Sequence, residues 1–159
     1  IGYSVVTGTQ KKYLGMNKIL KEKLKFYSVF GGPHPTFFPQ IIEDEGVDVV
    51  CRGEAEEALL DLVRFVDRYK ELPEDIANFW VRKGKKIFKN PLRRLKDNLD
   101  ALPYPDHKIF LDKFPHLNIL KRREFIAHRG CPYTCSYCFN SVYYRLYQNN
   151  GKNYRSGRH

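Results

Sequence analysis

Over residues 1–70 short apolar runs alternate with longer stretches of helical spacing, a rhythm that commits the chain to strand and helix units around a parallel sheet. Residues 1–6, 26–30 and 47–51 read as strands. Residues 11–25 carry Tyr13, Met16, Leu20 and Leu24 at helical spacing, and a helix is expected at about 37–45. Residues 54–69 form the clearest helix, with Ala55, Ala58, Leu59, Leu62, Val63 and Val66 on one face. Its charges agree with its direction: Glu54, Glu56 and Glu57 open it, while Arg64, Arg68 and Lys70 close it.

The turns after these strands are small, polar or glycine-bearing: Ser4 and its neighbours, then Gly31-Gly32-Pro33-His34, then Arg52-Gly53-Glu54. All lie at carboxyl ends of parallel strands, where open α/β sheets place their ligand crevice. Paired glycines there let a bulky ligand approach the backbone, although a tight strand-to-helix turn uses the same residues. His34, between Pro33 and Pro35, is either ligand-facing or a turn residue. Beyond Leu72-Pro73, residues 79–81 and 87–88 flank Arg82-Lys83-Gly84-Lys85 as an antiparallel hairpin. A linker ends in Pro103-Tyr104-Pro105-Asp106, with the domain boundary placed between about 91 and 110, and residues 125–128 read as one more short strand.

No apolar run approaches the ~20 residues of a membrane span, and Ile1 opens into a strand-like run without signal-peptide features, so the expected setting is cytoplasmic. The 28 Lys+Arg against 18 Asp+Glu give a net charge of +10. That charge is dispersed without an arginine-rich block, which favours a basic soluble surface over a nucleic-acid footprint.

Of four cysteines, three crowd into eight residues while Cys51 stands alone. The segment Arg129-Gly-Cys-Pro-Tyr-Thr-Cys-Ser-Tyr-Cys-Phe-Asn140 places Cys131, Cys135 and Cys138 as CxxxCxxC on a loop. A four-iron cluster usually takes four thiolates, so three would leave one iron with an exchangeable position. Structural zinc would need a fourth ligand, such as His107, His116, His128 or Cys51, and normally pairs its cysteines as CxxC at separate places. Three buried free thiols are the remaining reading.

The stretch RGCPYTCSYCFN resembles the signature loop of radical S-adenosylmethionine enzymes. The upstream part resembles the cobalamin-binding domain that precedes this loop in one large subclass, through Ser4, GGPHPT (31–36), VDVVCRGEAE (47–56) and LPYPD (102–106). The resemblance implies an α/β fold: the C-terminal part of a parallel, Rossmann-like cobalamin-binding sheet at 1–72, a hairpin and linker at 73–110, and at 111–159 the start of a radical S-adenosylmethionine partial β/α (TIM-like) barrel. It implies three cofactors: a 4Fe–4S cluster on Cys131, Cys135 and Cys138, S-adenosylmethionine with Tyr137 near its adenine, and cobalamin near Ser4, Gly31, Gly32, His34, Gly53 and Glu54. Arg129 and Asn140 would tune the cluster.

The implied reaction is reductive cleavage of S-adenosylmethionine to a 5′-deoxyadenosyl radical, used to methylate or rearrange an unactivated carbon in a small molecule or lipid. An external electron donor of flavodoxin or ferredoxin type is implied. The chain begins in a middle strand and stops shortly after the cluster loop, so it is expected to be a fragment, inactive alone. Two alternatives stand: a transfer-RNA methylthiotransferase of the same chemistry, against which the single upstream Cys51 speaks, and a non-catalytic metal-stabilised module binding nucleic acid.

Overall fold

Strands β1 (Gly2–Ser4), β2 (Val29–Gly31) and β3 (Val49–Cys51) pair in parallel, with Tyr3 opposite Phe30 and Phe30 opposite Val50. In this computed structural model, which describes residues 1–119, 126, 128–148 and 155–157, they belong to the first of two units, Ile1–Arg93 and Arg94–His159. Parallel neighbours need long crossovers. Helix α1 (Gln10–Lys23) supplies the first, and α2 (Pro33–Phe37) with a 3₁₀ turn at Pro39–Glu43 the second. Helix α3 (Glu56–Tyr69) then leads to β4 (Phe79–Lys83) and β5 (Lys86–Lys89), which extend the same sheet antiparallel in the order β1-β2-β3-β4-β5. The expected α/β architecture with parallel strands at its start is therefore present.

The period-two alternation of strands sorts the core onto two faces. Tyr3, Phe30 and Val50 pack with Ile41, Ile42 and Val47, against Tyr13 and Leu14 of α1. On the other face Val49, Cys51, Phe79 and Val81 meet Ala58 and Leu62 of α3 and Leu72. Burying one such leucine contributes about 2 kcal/mol. Local chemistry moves several boundaries from those read in the sequence. The helix expected at 37–45 starts at Pro33, because proline pre-sets the first helical residue, and Pro39, which has no N–H to donate, opens a separate 3₁₀ turn. Lys70 closes α3 in a left-handed conformation at φ 58°.

At the amino ends of the strands one carboxylate holds three elements. Asp48 accepts from Lys21 Nζ of α1 at 2.6 Å, from the Ser28 backbone N–H at 2.7 Å and from the Ser28 hydroxyl at 3.0 Å. Ser28 is fully buried and also reaches the Gly46 carbonyl at 2.8 Å, which Asn17 Nδ2 contacts at the same distance.

The second unit contains a 3₁₀ turn at Leu99–Ala101, α4 (Lys108–Lys113), a 3₁₀ turn at Pro115–Ile119, β6 (His128–Gly130), α5 (Phe139–Gln148) and β7 (Arg155–Gly157). Residues 125 and 127 of the strand expected there lie outside the described residues. β6 pairs antiparallel with β7, Arg129 opposite Ser156, and the described residues of this unit show no parallel strand pair of the expected barrel start. Nor is any helix among them long and apolar enough to cross a membrane.

Replacing Asp48 by Ala strands a largely buried lysine and a buried serine, and should lower unfolding free energy by about 3 kcal/mol in urea titrations. Lys18→Ala, which removes an exposed ion pair with Glu45 at 3.5 Å, should cost under about 0.5 kcal/mol.

Candidate functional site

The carboxyl edge of the parallel strands is built around a close backbone approach. Gly32 sits at φ 98°, and a Cβ there would lie 3.0 Å from both the backbone N and O of Val5 and 3.3 Å from Ser4 Oγ. Two hydrogen bonds hold the approach: Val5 N–H donates to the Gly31 carbonyl at 2.8 Å, and His34 N–H to the Val5 carbonyl at 3.0 Å. Thr36, 2% exposed, ties the second turn to the third. Its hydroxyl donates to the Gly32 carbonyl at 2.8 Å and accepts from Gly53 N–H at 3.0 Å, and its carbonyl accepts from Arg52 Nε at 3.3 Å. Asn78 continues the chain of contacts: its Nδ2 donates to the Glu54 carbonyl at 2.6 Å and its Oδ1 accepts from Arg93 N–H at 2.7 Å.

Beside this edge a groove of about 860 Å³ runs between the sheet and α3. Gly2, Ser4, Val29 and Gly31 lie along it from β1 and β2, Cys51 from β3, and Leu59, Leu62, Val63 and Val66 from α3. It exists because β1 and β2 present Gly2, Ser4 and Gly31, with Val29 alone as a larger side chain, on the face where β3 and β4 present Val49, Cys51, Phe79 and Val81. Helix α3 fills its half over β3 and β4 and leaves Leu59 and Val63 exposed by 42% and 57% over the other half. Burial also pushes the Cys51 thiol up to about 12, which keeps it protonated.

The groove thus brings together Ser4, Gly31 and Gly32. His34, Gly53 and Glu54 do not line it. His34 Nδ1 lies 3.1 Å from Thr7 Oγ1 and its ring stacks on Phe38 at 5.1 Å, so it braces the turn. Gly53, at φ 76°, and Glu54 meet Thr36 and Asn78 through their backbones. Sequence reasoning did not single out Thr36 or Asn78. Thr36 lay inside the GGPHPT motif, while nothing at position 78 advertised its positive φ of 77°.

In the second unit Cys131, Cys135 and Cys138 occupy the loop between β6 and α5, and all four cysteines of the chain are free thiols. Gly130, at φ 90°, turns the chain out of β6. Cys138 N–H donates to the Cys135 carbonyl at 3.2 Å, and the buried Ser141 returns its N–H and hydroxyl to the Cys138 carbonyl at 3.2 and 2.8 Å. Cys135 is exposed, Cys131 and Cys138 are half-buried, and Tyr137 is 91% exposed. As the loop stands, no group of three or more His, Cys, Asp or Glu side chains among the described residues is gathered to hold a metal.

The chain is similar to a protein named an uncharacterized methyltransferase in Pyrococcus horikoshii, at 29% identity over 146 residues, covering 89% of this chain and 31% of that protein. It is also similar to proteins named anaerobic magnesium-protoporphyrin IX monomethyl ester cyclase. That of Rubrivivax gelatinosus is 30% identical over 128 residues, covering 76% of this chain and 23% of the relative. That of Cereibacter sphaeroides is 34% identical over 126 residues, covering 76% and 20%. The chain therefore spans between about a fifth and a third of the length of these curated relatives, all named as enzymes. No protein-family profile matches it.

A thiol titration at pH 8 should find three cysteines reacting promptly with a disulfide reagent and Cys51 reacting only on denaturation, since burial holds it protonated. Gly32→Ala combines a positive φ with a backbone collision and should destabilise by at least about 2 kcal/mol. Gly8→Ala, at φ 99° with nothing within 4 Å, should cost about 1 kcal/mol, and equal losses in chemical denaturation would show that the approach to Val5 is relaxed.

Proposed function

We propose that this chain is part of a radical S-adenosylmethionine enzyme, with Cys131, Cys135 and Cys138 as ligands of a 4Fe–4S cluster and the first unit as a cobalamin-binding domain. The observation that carries the reading is the loop itself: three free thiols within eight residues, between a strand that ends on a positive-φ glycine and a helix that begins at Phe139. The donor set fits iron chemically, because thiolates are the usual ligands of such clusters and three of them leave one iron open to a chelating substrate. Cys138 immediately precedes α5, so the loop is anchored at its far end by a helix.

The first unit fits cobalamin on separate grounds. Its groove has Ser4 and the Gly31-Gly32 turn, which packs closely on Val5, at one end and an apolar interior along α3. A nucleotide tail has the matching shape and polarity, a polar ribose phosphate at one end and a flat base at the other. Ser4 would face the tail at the mouth, Gly31 and Gly32 would let it pass, and Thr36 would hold the surrounding turns through Gly53.

When bound, these groups supply one-electron reductive cleavage of S-adenosylmethionine and a carrier for a methyl group; the chain supplies position and exclusion of water. Tyr137, exposed beside Cys138, would stack on the adenine. The names of the relatives support methyl transfer or ring closure on a small molecule as the class of reaction. The electron would come from an external donor of flavodoxin or ferredoxin type, in the cytoplasm.

Anaerobic reconstitution with iron and sulfide should give about four irons per chain and a brown iron–sulfur absorbance. Cys135→Ala should lose both. A chain that takes up zinc and develops no iron chromophore would overturn the reading.

A further inference from the structure

Asn78 engages both its backbone groups and both ends of its amide. Its N–H donates to the Pro91 carbonyl at 2.8 Å, and its carbonyl accepts from Arg52 N–H at 2.9 Å. The side chain divides in the same way: Nδ2 donates to the Glu54 carbonyl at 2.6 Å, and Oδ1 accepts from Arg93 N–H at 2.7 Å. One partner in each pair belongs to the turn after β3, and the other to the segment that follows β5. The backbone here is left-handed, at φ 77°, a region asparagine tolerates better than most residues. Glycine would offer no side chain there, and ionised aspartate no donor.

Each side of this residue continues into a larger hydrogen-bonded set. On one side Gly53 N–H donates to the Thr36 hydroxyl at 3.0 Å, which donates in turn to the Gly32 carbonyl at 2.8 Å, at the carboxyl edge of the sheet. On the other side residues 90–93 are strapped down: Asn90 Nδ2 donates to the Glu74 and Phe79 carbonyls, both at 2.9 Å, and the Arg93 guanidinium pairs with Asp61 of α3. Arg93 is also the last residue of the first unit, and the chain runs on from it to the unit that carries the cysteine loop. With Asn78 only 2% exposed, water cannot replace a partner that moves away, so displacing either turn leaves a buried amide group unsatisfied. The two turns therefore hold or open together.

We propose that Asn78 is a positioning residue that couples the carboxyl-edge turns to the exit of the linker: cobalamin seated at the edge steadies the Gly53-Glu54 turn and, through the Asn78 amide, the strap at Arg93. The proposal rests on the cobalamin reading of the first unit and adds the route by which its occupancy reaches the segment leading to the cysteine loop. It needs no rearrangement, since a ligand that orders one end of a shared network also reduces opening at the other. The coupling is reciprocal, so a strap held closed raises corrinoid affinity by the same factor.

Amide hydrogen exchange of the 159-residue chain with and without cobalamin tests it, because Arg93 N–H is itself one of the four bonds. Arg82 N–H, which donates to the Asp48 carbonyl within the sheet at 2.8 Å, reports general tightening. The expected result is that saturating cobalamin slows exchange at Arg93 by at least about fivefold beyond any change at Arg82. Asn78→Asp keeps the acceptor for Arg93 and removes the donor to Glu54. In that variant Arg93 and Arg82 should stay protected without ligand, while the response of Arg93 to bound cobalamin is lost. Bound cobalamin that slows Arg93 no more than Arg82 overturns the coupling, as does a response that survives in Asn78→Asp, and both leave the cobalamin reading standing. Should Asn78→Asp not fold, the comparison of Arg93 with Arg82 in the unsubstituted chain decides alone. Failure of cobalamin to bind in equilibrium dialysis overturns the cobalamin reading, and the coupling with it.

Discussion

The carboxyl edge of the sheet depends on one place where two backbones come closer than a side chain would allow. With Gly32 pressed against Val5, the second turn is set relative to β1 by two main-chain hydrogen bonds. Thr36 then passes that position on to Gly53, and Asn78 passes it from Glu54 to Arg93. Loops that follow parallel strands are usually the adjustable part of such folds. Here buried side-chain hydrogen bonds between loops reduce that freedom, so the turns behave as one frame.

The groove is the complementary consequence. A sheet face that carries Gly2, Ser4 and Gly31 cannot fill the space beneath a helix whose stripe was sized for Val49, Cys51, Phe79 and Val81. Either the helix tilts to close the gap or the gap remains. The amino-end network of Asp48, Ser28 and Lys21 ties α1 and the starts of β2 and β3 on the opposite edge, so that the strands cannot slide to close it. Both ends of the parallel strands are thereby pinned, one by backbone contact and the other by the part-buried Asp48 carboxylate.

Much of this was legible in the sequence. The alternation of strand and helix, the turns at Ser4, Gly31-Gly32 and Gly53, and the amphipathic helix near 54–69 follow from periods and turn residues that act locally. Even the groove left a trace, since the stripe Ala55, Ala58, Leu59, Leu62, Val63 and Val66 is broader than one sheet half can cover, and only Ala58 and Leu62 of it are buried. What stayed hidden is long-range. That β4 and β5 extend the sheet depends on pairing Cys51 with Phe79 across the whole of α3. The roles of Thr36 and Asn78 depend on partners 17 and 24 residues away, and His34 was ambiguous because Thr7 and Phe38 decide its orientation.

The four cysteines show how far surroundings rather than residue type decide chemistry. Cys51 stands on a buried strand among Val49, Ala58 and Phe79, where charge is penalised and the thiol behaves as a small hydrophobe. Cys131, Cys135 and Cys138 stand on a loop where Cys135 is exposed and the other two are half-buried, with α5 beginning directly after the last of them. A thiolate, not a thiol, is the metal ligand, so burial takes Cys51 out of that role. The same apolar face that silences Cys51 lines the groove. The protonated Cys51 thiol adds no charge to that stretch of the groove, whose charged side chains, Asp67 and Lys70, pair with each other at 3.0 Å.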